Sequence, residues 1–365
     1  MPRGAGLKRR NSPRAELLTD LGISLASGTI LAVAATLLPL GELPGILASI
    51  PTWLLVGSVT TLAAAAAFLV ARRLGGRDDQ AFVMISAYSQ TRWLADLLSH
   101  LSRSLDRHGI DLVVKLPPHD HTGRSQLQVL DALRRKRRSY VGGFLVTDHL
   151  DQVAGELGEA CRALNQPVLF LDIRPFGDPG DFPPRSAFVG CDAGEIGEMG
   201  ARWLADDMKE RGVGNPVVLV IAGDAQAERE TRFEARFREL VPSAKIEITS
   251  MGLFTRERAR EITANRLSRR GPPLDAVFCT NDEMALGAAD AVQAHSPVSD
   301  LVIIGVDGSP EAYAAIDLGR SPFRATVVQD SRRIAEVAVD ALMRLRAGER
   351  VPVELTVPIA VHPIR

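Results

Sequence analysis

The carboxyl-terminal half of the chain contains three short apolar runs, each of which ends in hydrogen-bonding residues. These runs and their continuations are LDAVFCTNDEMALGAADAV at 274–292, LVIIGVDGSPEAYAAIDLG at 301–319, and ATVVQD at 325–330. Short apolar runs that are rich in β-branched residues and show no alternation predict strands buried on both faces. The residue that follows such a strand faces the crevice where open α/β sheets bind ligands. Asn281, Asp307 and Gln329 are therefore predicted to meet in one binding cleft.

The remainder of the chain from residue 80 alternates apolar runs with amphipathic segments. The clearest strand runs are AFVMIS at 81–86, DLVVKL at 111–116 and PVVLVIAG at 216–223. Apolar residues at helical spacing predict a helix over 91–108, and similar segments separate the later runs. Two consecutive series of such units predict an α/β fold with two doubly wound, Rossmann-like lobes. The chain is expected to finish with a long helix at 332–347 and one last strand at 353–361.

The amino-terminal 76 residues contain two uncharged runs, 21–40 and 52–71. Each run has 20 residues, about the length of a helix that crosses a ~30 Å hydrocarbon core. Basic residues flank both outer ends and the link has none, so the positive-inside rule places both ends in the cytoplasm. We therefore expect residues 1–76 to anchor the chain in the lipid bilayer of a bacterial-type cell membrane through two transmembrane helices. If the first run were a cleaved signal peptide, one anchor would remain and the domain would face outward.

Composition narrows the function classes. The 365 residues suggest two or three domains, and the balance of 43 Lys and Arg against 44 Asp and Glu gives no reason to expect a nucleic-acid partner. Cys161, Cys191 and Cys279 lie in or beside apolar runs without metal-ligand spacing, which predicts small buried hydrophobes. The sequence shows no Ser-His-Asp set, nucleophile elbow or metal cluster. We therefore expect neither an enzyme nor a cofactor.

A basic run, RRKRR at 134–138, ends the predicted helix 126–138. One interpretation is a solvated face. The other is contact with anionic lipid headgroups, which attract basic clusters that lie close to a membrane. The second interpretation requires the domain to be cytoplasmic and near the bilayer.

The motifs FCTNDEMALGA, IIGVDGSPEAYAAI and ATVVQD, in this order and spacing, are similar to those of the type I periplasmic sugar-binding proteins. The ribose-binding group is the most similar, and the ligand domains of lac-repressor-type regulators share the fold. The resemblance covers residue 80 to the end. It implies two lobes joined by three crossovers, which close around a ligand by hinge motion. Carried over, the first lobe comprises 80–191 plus 330–357, and the second comprises 192–329 plus 358–365.

The resemblance also implies ligand contacts at particular positions. Asn281, Asp307 and Gln329 match the family's hydrogen-bonding residues directly. Trp93 keeps one of two aromatics that stack on the sugar, whereas Arg92 replaces the other and favours a ligand with negative charge. The remaining implied contacts are Asp172, Arg174, Phe254 and either Arg229 or Arg232.

Some of these residues have structural alternatives. Asn281 could cap the helix that begins near Asp282, and Asp307 could serve turn chemistry before Gly308. Trp93 could be a core residue of an amphipathic helix.

The sequence thus favours a non-enzymatic protein that binds a sugar or sugar-like small molecule in uptake or sensing, with a membrane permease or a signalling protein as its partner. The alternative is a ligand-sensing regulator without a DNA-binding head, because hydrophobic runs occupy the place of a helix-turn-helix. The flanking charges favour a cytoplasmic domain, whereas the resemblance favours one outside the membrane.

Overall fold

The structure, a computed structural model, describes residues 79–85, 91–118, 122–147, 153–223, 228–295 and 300–363. All of these belong to one compact unit, Asp78–Arg365. The predicted membrane spans at 21–40 and 52–71 lie outside the described residues. Within the described ranges, no helix is both long and apolar enough to cross a bilayer.

The first part of the described chain alternates strands and helices. Its elements are β1 (Asp79–Ile85), α1 (Arg92–Asp106), β2 (Ile110–Lys115), α2 (Arg124–Arg135), β3 (Tyr140–Val146), α3 (Ala154–Leu164), β4 (Val168–Leu171), β5 (Ser186–Gly190) and α4 (Ala193–Glu210).

The second part continues this alternation and ends in two short strands. Its elements are β6 (Val217–Ile221), α5 (Glu228–Leu240), β7 (Lys245–Thr249), α6 (Arg256–Leu267), β8 (Ala276–Cys279), α7 (Asp282–His295), β9 (Val302–Asp307), α8 (Pro310–Asp317), β10 (Phe323–Val328), α9 (Ser331–Arg346), β11 (Glu354–Thr356) and β12 (Ala360–His362).

Two six-stranded sheets define the two lobes. The first has the order β11-β5-β4-β3-β1-β2 and the second the order β12-β10-β9-β8-β6-β7. Every pairing in the first sheet is parallel, and in the second only β12 runs antiparallel, to its neighbour β10. The two doubly wound α/β lobes predicted from the alternation are therefore present.

The chain passes between the sheets three times: from β5 to β6, from β10 to β11, and from β11 to β12. The last passage corrects the single strand predicted at 353–361. Those residues form two strands on different sheets, since β11 pairs with β5 and β12 pairs with β10. Pro358 lies between them and has no N–H to continue a ladder, so the pairing ends and the chain changes sheet.

The apolar pattern explains how the helices pack. Thr91 caps α1, since its side chain accepts a hydrogen bond from the backbone of Leu94. The buried face of α1 includes Leu97, Leu101 and Leu105 at helical spacing, which confirms the predicted helix to within two residues at each end. The three cysteines are buried and free, as predicted.

Candidate ligand-binding site

Three of the predicted site residues lie at the carboxyl ends of parallel strands. Asp172 directly follows β4 of the first sheet, Asp307 ends β9, and Gln329 directly follows β10 of the second sheet. Asp172 has φ of 67° and Asp307 has φ of 124°, values that are uncommon for residues other than glycine. Backbone strain of this kind persists where the surrounding structure fixes the residue, and it concentrates at ligand sites.

A half-buried arginine joins these residues across the two lobes. Arg229 lies near the start of α5, and its Nη2 donates to Asp172 Oδ1 at 3.5 Å and to Gln329 Oε1 at 3.3 Å. Its Nη1 donates to the carbonyl of Thr280 at 3.0 Å. Gln329 in turn donates through Nε2 to Asp307 Oδ1 at 3.0 Å. Asp172, Arg229, Asp307 and Gln329 thus form one connected set, called here the Arg229 cluster.

A second hydrogen bond between the lobes involves the backbone of Gln329. The indole Nε1 of Trp93, on α1 of the first lobe, donates to the Gln329 carbonyl at 3.0 Å. Trp93 is itself buried, in a hydrophobic cluster that includes residues of both lobes. Its contacts match the core alternative, and its stacking on a ligand stays a prediction.

The Arg229 cluster contains one cationic side chain and two carboxyl groups. Burial raises the pKa of Asp172, and the charge of Arg229 opposes that rise. Burial also raises the pKa of Asp307 well above its usual range, and the nearby carboxylate of Asp282 adds to the rise. A carboxyl group that keeps its proton can donate as well as accept, which suits a partner rich in hydroxyl groups.

Asp282 is a buried residue of this region that the sequence did not assign to the site. Its Oδ1 accepts from the hydroxyl of Thr326 and its Oδ2 from the backbone of Ser309, both at 2.7 Å. The residue is 1% exposed, and burial raises its pKa to about 7. The carboxyl group therefore connects α7 to β10 and to the start of α8, directly behind Asp307. One sequence feature could have indicated a place for Asp282 in the site: like Asn281, it lies just after a buried strand.

Asn281 and Phe254 form a pair beside the cluster. The Asn281 Oδ1 accepts from the backbone of Met284 at 2.9 Å, so Asn281 caps α7. Its Nδ2 donates to the carbonyl of Phe254 at 3.2 Å. Phe254 has φ of 56°, and its ring lies where a Cβ on Gly223 would come within 2.3 Å. The capping alternative for Asn281 is thus present, and ligand contact by either residue stays a prediction.

The remaining predicted residues lie outside the Arg229 cluster. The Arg92 side chain is 63% exposed and 3.8 Å from Asp96 on its own helix. Arg174 pairs with Glu354 at 3.0 Å and lies 3.8 Å from Asp192. Arg92 and Arg174 therefore have acidic partners outside the Arg229 cluster.

Arg232 is 55% exposed and lies 3.7 Å from Glu228. It is on α5, three residues after Arg229, whose side chain is only 14% exposed and pairs with Asp172. Of the two arginines that the sequence left open, the structure brings only Arg229 into the cluster. In the described part of the chain, no group of three or more His, Cys, Asp and Glu side chains could hold a metal ion.

Two doubly wound lobes whose strand ends carry connected polar side chains define a class of two-lobed ligand-binding proteins. The family model described as "Periplasmic binding protein domain" matches residues 81–350. The chain therefore belongs to the periplasmic binding protein domain family.

Individual relatives cover most of this chain. The D-allose-binding periplasmic protein of Escherichia coli (strain K12) is 23% identical over 278 residues, which cover 74% of this chain and 86% of that protein. A solved ABC-transporter periplasmic solute-binding protein from Actinobacillus succinogenes with bound D-allose has a TM-score of 0.68 at 18% identity, and covers 78% of this chain and 96% of its own. The fructose-binding periplasmic domain of a hybrid two-component system has a TM-score of 0.66 at 19% identity, with coverage of 78% and 90%. The two structural matches show the fold, and the regulator alternative gains no support from these relatives.

Proposed function

We propose that this chain is a non-enzymatic solute-binding protein that closes two lobes around a sugar or sugar-like small molecule, for transport or for sensing. The observation that carries the proposal is the Arg229 cluster, which links the carboxyl ends of both sheets through buried and partly buried hydrogen bonds. Membership of the periplasmic binding protein family and the D-allose-binding relatives support a sugar as the ligand.

The chemistry of the Arg229 cluster suits a polyhydroxylated ligand. Asp172 and Asp307 accept, Arg229 donates, and Gln329 does both, while each sugar hydroxyl is at once a donor and an acceptor. Bonds that involve a charged partner are the stronger ones in a site that excludes water. A ligand that lacks the matching hydroxyl would leave buried groups unpaired, and this cost supplies selectivity.

Gln329 is proposed to couple ligand contact to lobe closure. It lies where the chain returns from the second sheet to α9 of the first lobe, and it bonds to both lobes at once. We propose that the passages near Asp192, Gln329 and Pro358 are the hinges, and that they divide the lobes as 80–191 plus 330–357 and 192–329 plus 358–365. Ligand bonds to Gln329 would replace those it makes in the free protein and so favour one relative position of the lobes.

Residues 1–76 are proposed to anchor this binding protein in the cell membrane. The support is the two uncharged runs of 20 residues in the sequence. The flanking basic residues favour a cytoplasmic domain. Fusion of alkaline phosphatase or of a fluorescent protein to the carboxyl terminus tests the side: phosphatase activity outside the cytoplasm would refute the cytoplasmic orientation.

A thermal-shift screen over sugars, sugar acids and sugar phosphates tests the ligand class. We expect one class to raise the melting temperature without chemical turnover. Sugar acids or phosphates are expected to be favoured over neutral sugars if Arg92, which is 63% exposed, contacts the ligand as predicted. Turnover of the stabilising compound would refute the non-enzymatic assignment.

A matched pair of arginine variants tests the site. Arg229→Gln removes a charge-assisted donor, and we expect the ligand's Kd to rise by about 10- to 100-fold in calorimetry. Arg232→Gln removes the same charge from an exposed position of the same helix and is expected to change the Kd less than about twofold. An equal Kd for the two variants would refute the assignment of the Arg229 cluster as the ligand site.

A further inference from the structure

The basic run at 134–138 occupies a sharply turned segment of the first lobe. The predicted helix 126–138 ends earlier, because the chain must turn to enter β3 at Tyr140. A single 3-10 turn, Arg137–Ser139, follows α2. Side chains of Arg134–Ser139 are exposed and line a concave surface with a volume of about 530 Å³.

The positive charge of this segment is only partly compensated. Arg134 and Arg135 share a single carboxylate, Asp131, one turn earlier on α2. Lys136, Arg137 and Arg138 form no ion pair with any residue of the described chain. Three exposed cations in succession repel one another, so the segment favours an external anionic partner.

This segment lies at the amino-terminal edge of the first sheet, the edge opposite the Arg229 cluster. Tyr140 is in register with Gln80, so the basic turn is next to the point where the described chain begins. The other helix-to-strand connections of this lobe reach the same edge, because the sheet is parallel. They add Arg107 and Arg350, whereas their carboxylate Glu349 is already paired with Arg344 at 3.1 Å.

The length of chain before this edge limits its distance from a membrane. The predicted second span ends at residue 71, and the seven residues 72–78 can extend over at most roughly 25 Å. Three of those seven residues are basic, namely Arg72, Arg73 and Arg77, and one is acidic, Asp78, so the tether carries a net positive charge. Electrostatic attraction to a charged surface acts over about 10 Å at 0.1 M salt, so a short tether holds the edge near the range where it is effective.

We propose that the amino-terminal edge of the first lobe, centred on Lys136, Arg137 and Arg138, docks on anionic phospholipid headgroups. The proposal rests on the membrane anchor proposed above and is independent of the ligand. A basic residue near an anionic surface strengthens association by about fivefold, so three of them account for roughly 100-fold.

Energy transfer from the basic turn to the lipid tests this docking. The full chain with Ser139→Cys is labelled with a fluorescent donor, and the natural cysteines do not compete because all three are buried. It is incorporated in nanodiscs that carry an acceptor lipid, made either of phosphatidylcholine alone or with a third of the lipid as phosphatidylglycerol. We expect stronger energy transfer in the anionic discs, and its loss at high salt.

Two triple variants separate this surface from a general effect of charge. In Lys136→Gln, Arg137→Gln and Arg138→Gln together, the docked-to-undocked ratio in anionic discs is expected to fall by roughly 100-fold. The matched control replaces three exposed arginines of the second lobe, Arg260, Arg269 and Arg270, by glutamine and is expected to keep the transfer. Equal transfer in both lipids, or an equal loss in both triple variants, would overturn the proposal and leave a solvated face.

Competition measurements then identify which kind of anion the basic surface binds. Loss of the energy transfer in anionic discs when inorganic phosphate is added at constant ionic strength would assign the surface to a free anion instead. Loss of the energy transfer when a single-stranded oligonucleotide is added would assign it to nucleic acid. If the chain does not enter discs, the anchor is refuted, and sedimentation with phosphatidylglycerol vesicles then decides whether the edge binds lipid on its own.

Discussion

Asp282 makes the stability of this protein depend on pH in a direction opposite to that of a surface carboxylate. The residue is 1% exposed, and its two acceptor bonds, from Thr326 and Ser309, do not offset the cost of burying its charge. Its pKa therefore rises from 3.8 to about 7 in the folded protein. Replacing Asp282 by asparagine removes the titrating group and keeps the shape.

The sign follows from which state holds the proton. Between pH 3.8 and about 7, the folded protein keeps a proton on Asp282 that the unfolded chain has released. Stability is therefore highest at low pH within this window and falls as the pH rises. At about 1.4 kcal/mol per pH unit, and with the folded group half ionised near pH 7, the wild-type chain loses about 2 kcal/mol between pH 5 and pH 7.

The assay compares melting temperatures of the wild type and of Asp282→Asn from pH 5 to pH 7. The asparagine can accept from the Ser309 N–H and donate to Thr326 Oγ1, so the fold is expected to persist. Relative to the variant, the wild-type melting temperature should fall by about 5 °C across this range. Melting temperatures that stay parallel over the whole range would refute the assignment of a protonated Asp282.

Three further substitutions test individual contacts by thermal or urea unfolding. Gly287→Ala places a Cβ 1.9 Å from the Arg256 carbonyl and is expected to lower the free energy of unfolding by about 1–3 kcal/mol. In the control Gly214→Ala, the added Cβ meets nothing within 4 Å, so the change should stay within about 0.5 kcal/mol. Equal losses in the two variants would contradict the close packing of α6 and α7. Asn281→Ala should lower the free energy of unfolding by about 1 kcal/mol because it removes the helix cap, and Asn281→Ser should restore most of that loss. Unchanged stability of the alanine variant would contradict the cap. Trp93→Phe removes the bond to the Gln329 carbonyl and should cost about 1 kcal/mol, with no cost expected if the bond does not form in solution.

Local pattern was enough to predict most of the fold. Buried strands and amphipathic helices have distinct periods, so the alternation from residue 80 to 347 was visible without any tertiary information. The final segment was different, because one apolar run at 353–361 serves two sheets. Each of β11 and β12 has only three residues, and their partners β5 and β10 are distant in sequence. Pro358 indicates a break in the run, but the local sequence pattern does not show that the chain changes sheet there.

The candidate site was likewise predictable from the sequence only in part. The positions of Asp307 and Gln329 follow from the ends of two buried strands and were predictable. The pairing of Arg229 with Asp172, 57 residues apart, depends on how the lobes approach and could not be derived from spacing. Asp282 was missed because its sequence position indicates only the first turn of α7. Its burial arises when α8 and β10 pack over it, which is a property of the assembled lobe.

The bridge from Arg229 to Asp172 and Gln329 has a consequence for how tightly any solute can be held. These groups satisfy one another, so a solute that bound at the proposed site would have to displace internal partners before it gained its own. In that case the internal bonds would compete with the solute, and the observed affinity would be the difference between the two sets of bonds. Weakening the internal bonds without changing the solute's contacts would then tighten binding, so the strength of this bridge would set the concentration at which the proposed binding protein responds.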